Sequence, residues 1–507
     1  MTPLAEIGTL GRLVTRAAEL WPLRTAWIFD ETGERFTFTD VDRLSDGFAA
    51  ALTERGIGPG DRVAVMLRNQ PEFPLIWLAL AKIGARLVPV NTNYREFDGA
   101  HVLRHSGAKL AVAAPEFTDL LGRIGLTEVV TPDRLRTDAA PPEFTPVPEL
   151  PVNIQYTSGT TGAPKGCVLP NRYWTTLAVG LATDFPAVGE DDVLLTAQPF
   201  HYIDPQWNVA LGLAAGATLV VLDRFHPSTF WARVREHGVT WFYCLGLMPT
   251  LLLRQEPSEA DRDHRVRAIC ASAIPHELHA ELEARWGVPW YEAFGMTETG
   301  GDIRMAAADH DETVGTGCIG RPSRDREAMI AGEDGKPLPR GETGELLIRG
   351  IGLMHGYHDD PEATAKAFRD GWFHTGDLAR MDDAGRVYYI GRTKDMIRRS
   401  GENVSADEVE RALLLHPAVR LAAVVAVPDE LRGEEIKAYV VCDGERPEPA
   451  SLVEFCSEKL AYFKVPRFWA FADGLPMTPS ERVAKGELRK VADPRAGSWD
   501  AKAEAWL

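Results

Sequence analysis

The sequence lacks an apolar stretch of membrane-spanning length. No uncharged apolar run in its 507 residues reaches the ~18 that a spanning helix needs. It has few cysteines. Cys167, Cys244, Cys270, Cys318, Cys442 and Cys456 are scattered and make no C-x-x-C pair. Neither a zinc site nor a disulfide framework is expected, only buried reduced thiols. Positive charge is in short supply: 55 Lys and Arg stand against 73 Asp and Glu, a formal net charge of −18. Such a field disfavours nucleic acid and anionic membranes as partners, while a local basic site for a phosphorylated substrate remains open. The opening Met1-Thr2-Pro3-Leu4-Ala5-Glu6 has no basic segment leading into an apolar core. No signal peptide is read there, and a cytoplasmic protein is expected. Internal repeats and low-complexity segments are also lacking.

What is present is ordinary for a folded chain, 45% hydrophobic and 25% charged. The length exceeds one core, so two or more domains are expected. Leu10, Leu13, Val14 and Ala17 share one face of a helix within 4–21. Runs 26–29 and 36–38 read as a hairpin. Strands at 62–67, 86–90, 109–113 and 128–131 alternate with helices at 40–55 and 71–83. A second series has strands at 193–196, 218–221, 239–244 and 266–271, with helices at 207–215 and 227–236. The alternation predicts an α/β fold of doubly wound parallel sheets. After residue 315, short strands and Gly-rich turns predict a small β-barrel. After Arg392, helices at 406–415 and 452–460 with strands at 419–427 and 436–442 predict a compact α+β unit. The expected division is a large N-terminal domain, 1–393, and a small C-terminal domain, 394–507.

The chain is organised around Tyr156-Thr157-Ser158-Gly159-Thr160-Thr161-Gly162-Ala163-Pro164-Lys165-Gly166. It offers hydroxyls, one Lys, and backbone N–H groups left bare by glycine. Such a nest of donors binds polyphosphate. Its spacing is not that of G-x-x-x-x-G-K-[ST]. Three more segments carry chemistry. In Tyr291-Glu292-Ala293-Phe294-Gly295-Met296-Thr297-Glu298 an aromatic beside Gly stacks on a flat base, and a carboxylate follows that suits Mg²⁺. In Gly371-Trp372-Phe373-His374-Thr375-Gly376-Asp377 a carboxylate follows Gly and suits two ribose hydroxyls. Gly391-Arg392-Thr393-Lys394-Asp395 and Ser400-Gly401-Glu402-Asn403-Val404 follow in order.

These strings, in this order, resemble the adenylate-forming superfamily of acyl-CoA synthetases, peptide-synthetase adenylation domains and luciferases. The resemblance covers essentially the whole chain. It implies that a carboxylate attacks the α-phosphorus of Mg-ATP and expels pyrophosphate. The small, mobile C-terminal domain then rotates as a lid about Lys394, and a thiol, usually CoA, attacks the acyl-adenylate. The resemblance assigns ATP or AMP to Thr157, Ser158, Gly159, Thr160, Thr161, Gly162 and Lys165. It adds Ser272, Ala273 and Ile274, then Glu292, Ala293, Phe294, Gly295, Met296 and Thr297, with Asp377 on the ribose and Arg392 on ribose and phosphate. Thr157 and Glu298 are the implied Mg²⁺ residues, and Gly401 lines the implied CoA channel. Lys165, Thr297 and Glu298 are implied catalytic residues.

One motif departs from the family pattern. Where Pro-x-Thr-x-(Ser/Thr/Ala)-Gly-Lys is usual, the chain has Pro476-Met477-Thr478-Pro479-Ser480-Glu481-Arg482-Val483-Ala484-Lys485. Three readings stay open: Arg482 replaces the adenylation Lys, Lys485 serves instead, or adenylation is impaired. In Gln198-Pro199-Phe200-His201-Tyr202-Ile203-Asp204-Pro205-Gln206-Trp207, His201 is the candidate that gates the acid. Trp207, Tyr243, Gly246 and Met248 are candidate acyl-pocket walls. This segment and the Thr-Pro-Ser-x-Arg ending are loosely similar to the carnitine- and crotonobetaine-CoA ligase branch and to synthetases of natural-product pathways. The expectation is an ATP-dependent acyl-CoA ligase for a moderately bulky or aromatic small-molecule carboxylic acid, with ATP, Mg²⁺ and CoA. Alternatives are a stand-alone enzyme loading a carrier protein, a nitrite-activating relative, and a protein that only thioesterifies a supplied adenylate. The oligomeric state is open, a homodimer included.

Overall fold

A computed structural model of the chain describes residues 4–125, 128–157, 164–400, 402–478 and 483–507. By internal contacts it forms two units. One comprises Met1–Thr157, Pro164–Ala328 and Ile348–Phe373; the other is mainly Met329–Leu347 and His374–Leu507.

In the first unit, α1 (Leu10–Leu20) buries Leu10, Leu13, Val14 and Ala17, the expected face. β1 (Thr25–Phe29) and β2 (Glu34–Thr37) form the expected antiparallel hairpin. Thr37 and Asp40 close a capping box that starts α2 (Phe38–Glu54). Then follow β3 (Arg62–Met66), α3 (Glu72–Lys82), β4 (Arg86–Pro89), α4 (Glu96–Ser106), β5 (Leu110–Ala113), α5 (Pro115–Ile124), β6 (Val129–Val130), β7 (Pro151–Thr157) and β8 (Lys165–Pro170). Their sheet has the order β6-β5-β3-β4-β7-β8. It is parallel except at β7–β8. β3 is buried from Val63 to Met66, as a parallel strand covered on both faces must be.

The second sheet takes β9 (Val193–Thr196), β10 (Thr218–Val221), β11 (Trp241–Leu245), β12 (Ala268–Ser272), β13 (Trp290–Met296), β14 (Gly300–Arg304) and β15 (Cys318–Pro322). Its order is β2-β1-β10-β9-β11-β12-β13-β14-β15. The pairs from β1 to β13 are parallel, and β13–β14–β15 are antiparallel. Helices α6 (Asn171–Thr183), α7 (Ile203–Ala215), α8 (Pro227–Glu236), α9 (Met248–Leu253), α10 (His276–Trp286) and α11 (Ala307–Thr313) connect the strands. Trp231 and Trp286 stack at 5.0 Å within the core between these helices and the sheet. α7 begins at Ile203 rather than at 207. Pro205 lies in its first turn, where no backbone N–H is needed, so the helix runs through it.

Glu283 of α10 ties down the root of β13. Its Oε1 accepts the Trp290 N–H at 2.7 Å and His310 Nε2–H at 2.7 Å. His310 Nδ1–H faces Asp311 at 2.9 Å. The trio His279, Glu283 and His310 has metal-ligand types. However, His279 Nε2–H donates to Trp290 O at 2.8 Å and Nδ1 accepts from Gly315 N–H at 3.3 Å. The trio therefore acts as a structural tie. Burial raises the Glu283 carboxyl, but hydrogen bonds from His279, His310 and Trp290 outweigh it and bring the pKa to about 2. The hydrogen bond to Glu283 raises His310. Glu283 therefore stabilises the fold fully above its ordinary 4.5, and that contribution is lost as pH falls toward about 2. His310 contributes fully below its ordinary 6.5, and that contribution is lost as pH rises through its raised folded value. Urea melts from acid to alkaline pH check this. His310→Gln is expected to remove the alkaline-side decline and leave the acid-side one.

β16 (Arg326–Ala331), β17 (Thr343–Gly350), α12 (Pro361–Ala367), β18 (Phe368–Arg369), β19 (Trp372–Met381) and β20 (Val387–Arg392) come next. Where the small barrel is expected, the strands pair in the order β16-β17-β19-β20. The second unit reaches back to His374, so 374–393 groups with it. Thr375 Oγ1 donates to Leu346 O at 2.6 Å and Gly341 N to Met381 O at 2.8 Å, binding the β19–β20 hairpin to 329–347. A hairpin of β21 (Met396–Arg399) and β22 (Glu402–Ser405), which the sequence pattern does not announce, precedes α13 (Ala406–Leu414). β23 (Val419–Asp429), β24 (Gly433–Cys442), α14 (Pro449–Lys459), β25 (Phe468–Phe471) and α15 (Lys485–Arg489) follow. Val409, Leu413, Val424, Ile436, Leu452 and Trp469 fill this unit's core. Among the described residues no helix is long and apolar enough to cross a membrane. All six cysteines are free, five of them buried.

Candidate active site

The candidate phosphate-binding stretch begins in β7 and ends in β8. Thr157, the last residue of β7, pairs in register with Lys165, the first of β8. Ser158, Gly159, Thr160, Thr161 and Gly162 lie outside the described residues. Lys165 Nζ sits 4.9 Å over the ring of Tyr357, a cation–π arrangement. Tyr357 belongs to a segment that runs along β8. Val168 N–H donates to Gly356 O at 3.0 Å and His358 N–H to Gly166 O at 2.7 Å. The Tyr357 hydroxyl donates to Glu298 Oε1 at 3.0 Å. One aromatic residue thus joins the candidate cation to the candidate carboxylate. Sequence reasoning missed it, because nothing local marks a tyrosine 59 residues beyond its partner.

Thr297 and Glu298 occupy the turn between β13 and β14. A fully buried ion pair fixes this turn: Arg326 Nε lies 2.8 Å from Asp302 Oδ1. Arg326 Nη2–H also donates to Thr299 O at 2.7 Å, and the Thr299 hydroxyl donates to Asp302. Burial pushes the Asp302 carboxyl up to about 6 even against Arg326. The turn is also tight: a Cβ at Gly295 would overlap the carbonyl oxygen of Gly300. Gly295→Ala is expected to cost about 1–3 kcal/mol of stability, read by chemical denaturation, and to raise the ATP KM.

The proposed adenine segments come together. Ile274 N–H donates to Glu292 Oε1 at 2.7 Å, and the Ser272 hydroxyl donates to Ala293 O at 2.6 Å. Ala273 between them has a left-handed φ of 68°, rare for a side-chain-bearing residue and frequent at functional loops. Phe294, Gly295 and Met296 complete β13 beside them.

Ser272 also links this region to the proposed acyl pocket, since its hydroxyl lies 2.5 Å from that of Tyr243. The Trp207 and Tyr243 rings meet edge-on, 5.3 Å apart at 89°. Gln198 Nε2–H donates to Tyr243 O at 3.3 Å and Met248 Sδ at 3.4 Å. Gly246 follows β11 with a φ of 53°. His201 is buried, and burial lowers its pKa to about 3. Neither ring nitrogen of His201 has a hydrogen-bond partner among the described residues.

In the second unit Asp377 and Arg392 are register partners on β19 and β20 and form an ion pair at 3.3 Å. Asp377 is buried, and its N–H donates to Thr375 Oγ1 at 3.0 Å. Lys394 sits in a single 3-10 turn, Thr393–Asp395. Burial, then Arg392, lowers its ammonium to about 8. Lys485 lies among carboxylates: Glu410 at 2.8 Å, Asp407 at 3.0 Å and Asp395 at 3.9 Å. Burial alone would lower its pKa; Glu410, Asp407 and Asp395 outweigh burial and raise it. Burial lifts Glu410 to about 7. Arg482 and Gly401 lie outside the described residues.

Glu298 carboxylate and Thr157 hydroxyl are hard oxygen donors, the chemistry that Mg²⁺ takes. A model of the AMP-binding enzyme family matches residues 14–358, and one of the AMP-binding enzyme C-terminal domain matches 408–482. The chain belongs to the AMP-binding enzyme family. A sulfoacetate–CoA ligase of Cupriavidus necator is 34% identical over 504 residues, covering 95% of this chain and 97% of the relative. A crotonobetaine/carnitine–CoA ligase of Salmonella arizonae is 34% identical over 506 residues, covering 93% and 97%. Among solved structures, the o-succinylbenzoate CoA synthetase of Bacillus subtilis with its acyl-adenylate superposes with a TM-score of 0.86 at 27% identity, covering 95% of this chain and 98% of that one.

Proposed function

We propose that the protein is an ATP-dependent, AMP-forming acyl-CoA ligase for a small polar or aromatic carboxylic acid. The observation that carries this reading is the Lys165–Tyr357–Glu298 linkage at the foot of the phosphate-binding stretch. The acid's carboxylate oxygen attacks the α-phosphorus, and the bond to the bridging oxygen breaks, releasing pyrophosphate. Lys165 donates N–H groups to the phosphates as charge shifts onto them, and Thr297 donates to the α-phosphate. Catalysis of this kind is positioning plus electrostatic stabilisation. Glu298 and Thr157 would hold Mg²⁺, whose charge offsets that of the phosphates. Asp377 accepts from the ribose hydroxyls. His201 donates one N–H to the acid. The CoA sulfur then attacks the acyl carbon, and AMP leaves with the electron pair of the broken C–O bond.

Of the two candidates for the missing adenylation Lys, Arg482 is the reading we favour. Lys485 is held by three carboxylates of its own unit, and moving its ammonium would take from Glu410 and Asp407 their close cation at 2.8 and 3.0 Å. The acid is sought among sulfoacetate, crotonobetaine, carnitine and o-succinylbenzoate, the names carried by the relatives, with benzoate and butyrate added. We place the reaction in the cytoplasm, which supplies ATP and CoA.

The test is pyrophosphate release over that panel, with and without CoA, for wild type, Arg482→Ala and Lys485→Ala. Release by wild type with thioester formation supports the ligase. Loss of release in Arg482→Ala, with Lys485→Ala active but less stable, supports the assignment. Thioester formed only from a supplied acyl-adenylate, or only on an added holo-carrier protein, overturns the reading.

A further inference from the structure

A ring of side-chain amides surrounds the loop before α7. Gln155 Nε2–H donates to His201 O at 2.6 Å. Gln206 Nε2–H groups donate to Phe200 O at 2.9 Å and Tyr202 O at 3.0 Å. Asn69 Nδ2–H donates to Gln198 O at 2.9 Å, and Asn69 Oδ1 accepts the Phe200 N–H at 2.9 Å. The amides are themselves held in place: Asn153 Nδ2–H donates to Gln206 Oε1 at 2.8 Å, and Trp77 Nε1–H to Asn153 Oδ1 at 2.8 Å. Gln155, Gln206 and Asn153 are 3%, 0% and 0% exposed. Amides so deep in a core persist only when every group is paired, and here Gln155 and Gln206 donate to the backbone of one short loop while Asn153 braces Gln206.

That loop carries a side chain left out of this pairing. His201 is 4% exposed, yet Nδ1 and Nε2 have no partner among the described residues. The carbonyls at 198, 200, 201 and 202 already accept from side-chain amides, and the imidazole makes no hydrogen bond to any of them. A buried polar group without a partner is costly, and a network that holds it so is a mark of a site that waits for a ligand.

We propose that Gln155 and Gln206 are positioning residues for the acid substrate, fixing the 198–202 backbone so that His201 presents one N–H donor and one bare ring nitrogen to the bound acid. The inference rests on the acid-activating reading above. A neutral imidazole is the form that burial favours here, so recognition is by a hydrogen bond and not by an imidazolium ion pair. Gln155 lies on β7, two positions before Thr157, so one strand sets both the acyl-side loop and the start of the phosphate-binding stretch.

The experiment uses Gln155→Met and Gln206→Met, which keep length and remove the amide. Pyrophosphate release is measured with the panel acid that wild type uses fastest. The acid KM is expected to rise about tenfold with the ATP KM within about twofold. In a His201→Ala background, Gln155→Met is expected to add less than about twofold, because its effect passes through His201. Equal rises in both KM values, or fully multiplicative effects with His201→Ala, overturn the proposal. Melting curves show whether Gln206→Met folds; if it does not, Gln155→Met and wild type decide. In ¹⁵N-histidine-labelled wild type, with His201 assigned by its loss in His201→Ala, the ring signal is expected to be neutral and to shift with the panel acid. A protonated or unmoved His201 signal overturns the proposal. A shift without pyrophosphate release upholds the positioning and removes the adenylation reading instead.

Discussion

Glu298→Ala is expected to lower pyrophosphate release by about 10²–10³-fold, the range seen when one preorganised charge-stabilising group is removed. The fold is expected to survive. Glu298 sits in a turn whose shape is set by other groups, the buried Arg326–Asp302 pair and the Thr299 hydroxyl. Its own backbone carbonyl still accepts the Met354 N–H at 2.9 Å. Among the described residues the carboxylate makes one hydrogen bond, from the Tyr357 hydroxyl, worth about 1.5–3 kcal/mol. Tyr357→Phe is the control. It keeps the ring under Lys165 and leaves the carboxylate, so release is expected to fall far less. Release by Glu298→Ala at the wild-type rate, measured with saturating Mg²⁺, contradicts the placement of the metal on this turn.

Lys394→Pro is expected to leave pyrophosphate release within a few-fold of wild type and to slow thioester formation by about a hundredfold. We propose that the small domain turns about this residue between the two half-reactions, as the resemblance to adenylate-forming enzymes implies. Proline fixes φ near −65° and restricts the residue before it, here Thr393. It also removes the ammonium that burial and Arg392 hold at about 8. Lys394→Ala separates the two effects, since it removes the charge and keeps the backbone free. Thioester formation near the wild-type rate in Lys394→Ala, with a block in Lys394→Pro, assigns the step to the backbone. Equal loss of both half-reactions in Lys394→Pro contradicts the hinge.

Much of the fold is legible in the sequence because its signals are local. The near-continuous apolar runs within 62–67, 86–90 and 109–113 mark buried parallel strands, and the face of α1 follows from four residues at helical spacing. The candidate phosphate-binding stretch stands out in sequence as one unbroken string from Tyr156 to Gly166. What is not legible depends on distant partners. Tyr357 reaches Lys165 and Glu298 only because its segment lies along β8. Gln155, Asn153 and Gln206 look like unremarkable polar residues until β7 and α7 bring their amides onto one loop. Lys485 looks available in sequence, and the folded second unit surrounds it with Glu410, Asp407 and Asp395. The β21–β22 hairpin is too short, and too charged at Arg398, Arg399 and Glu402, to carry a strand pattern.

The central claim is that one chain activates an acid through AMP and passes it to CoA. The most direct measurement is the product balance when wild type is mixed with ATP, CoA and the best panel acid. AMP, pyrophosphate and acyl-CoA are expected in equal amounts, with none formed when the ATP analogue has a methylene between its α- and β-phosphorus. ADP and inorganic phosphate in place of AMP and pyrophosphate, or acyl-CoA formed without ATP cleavage, would contradict it.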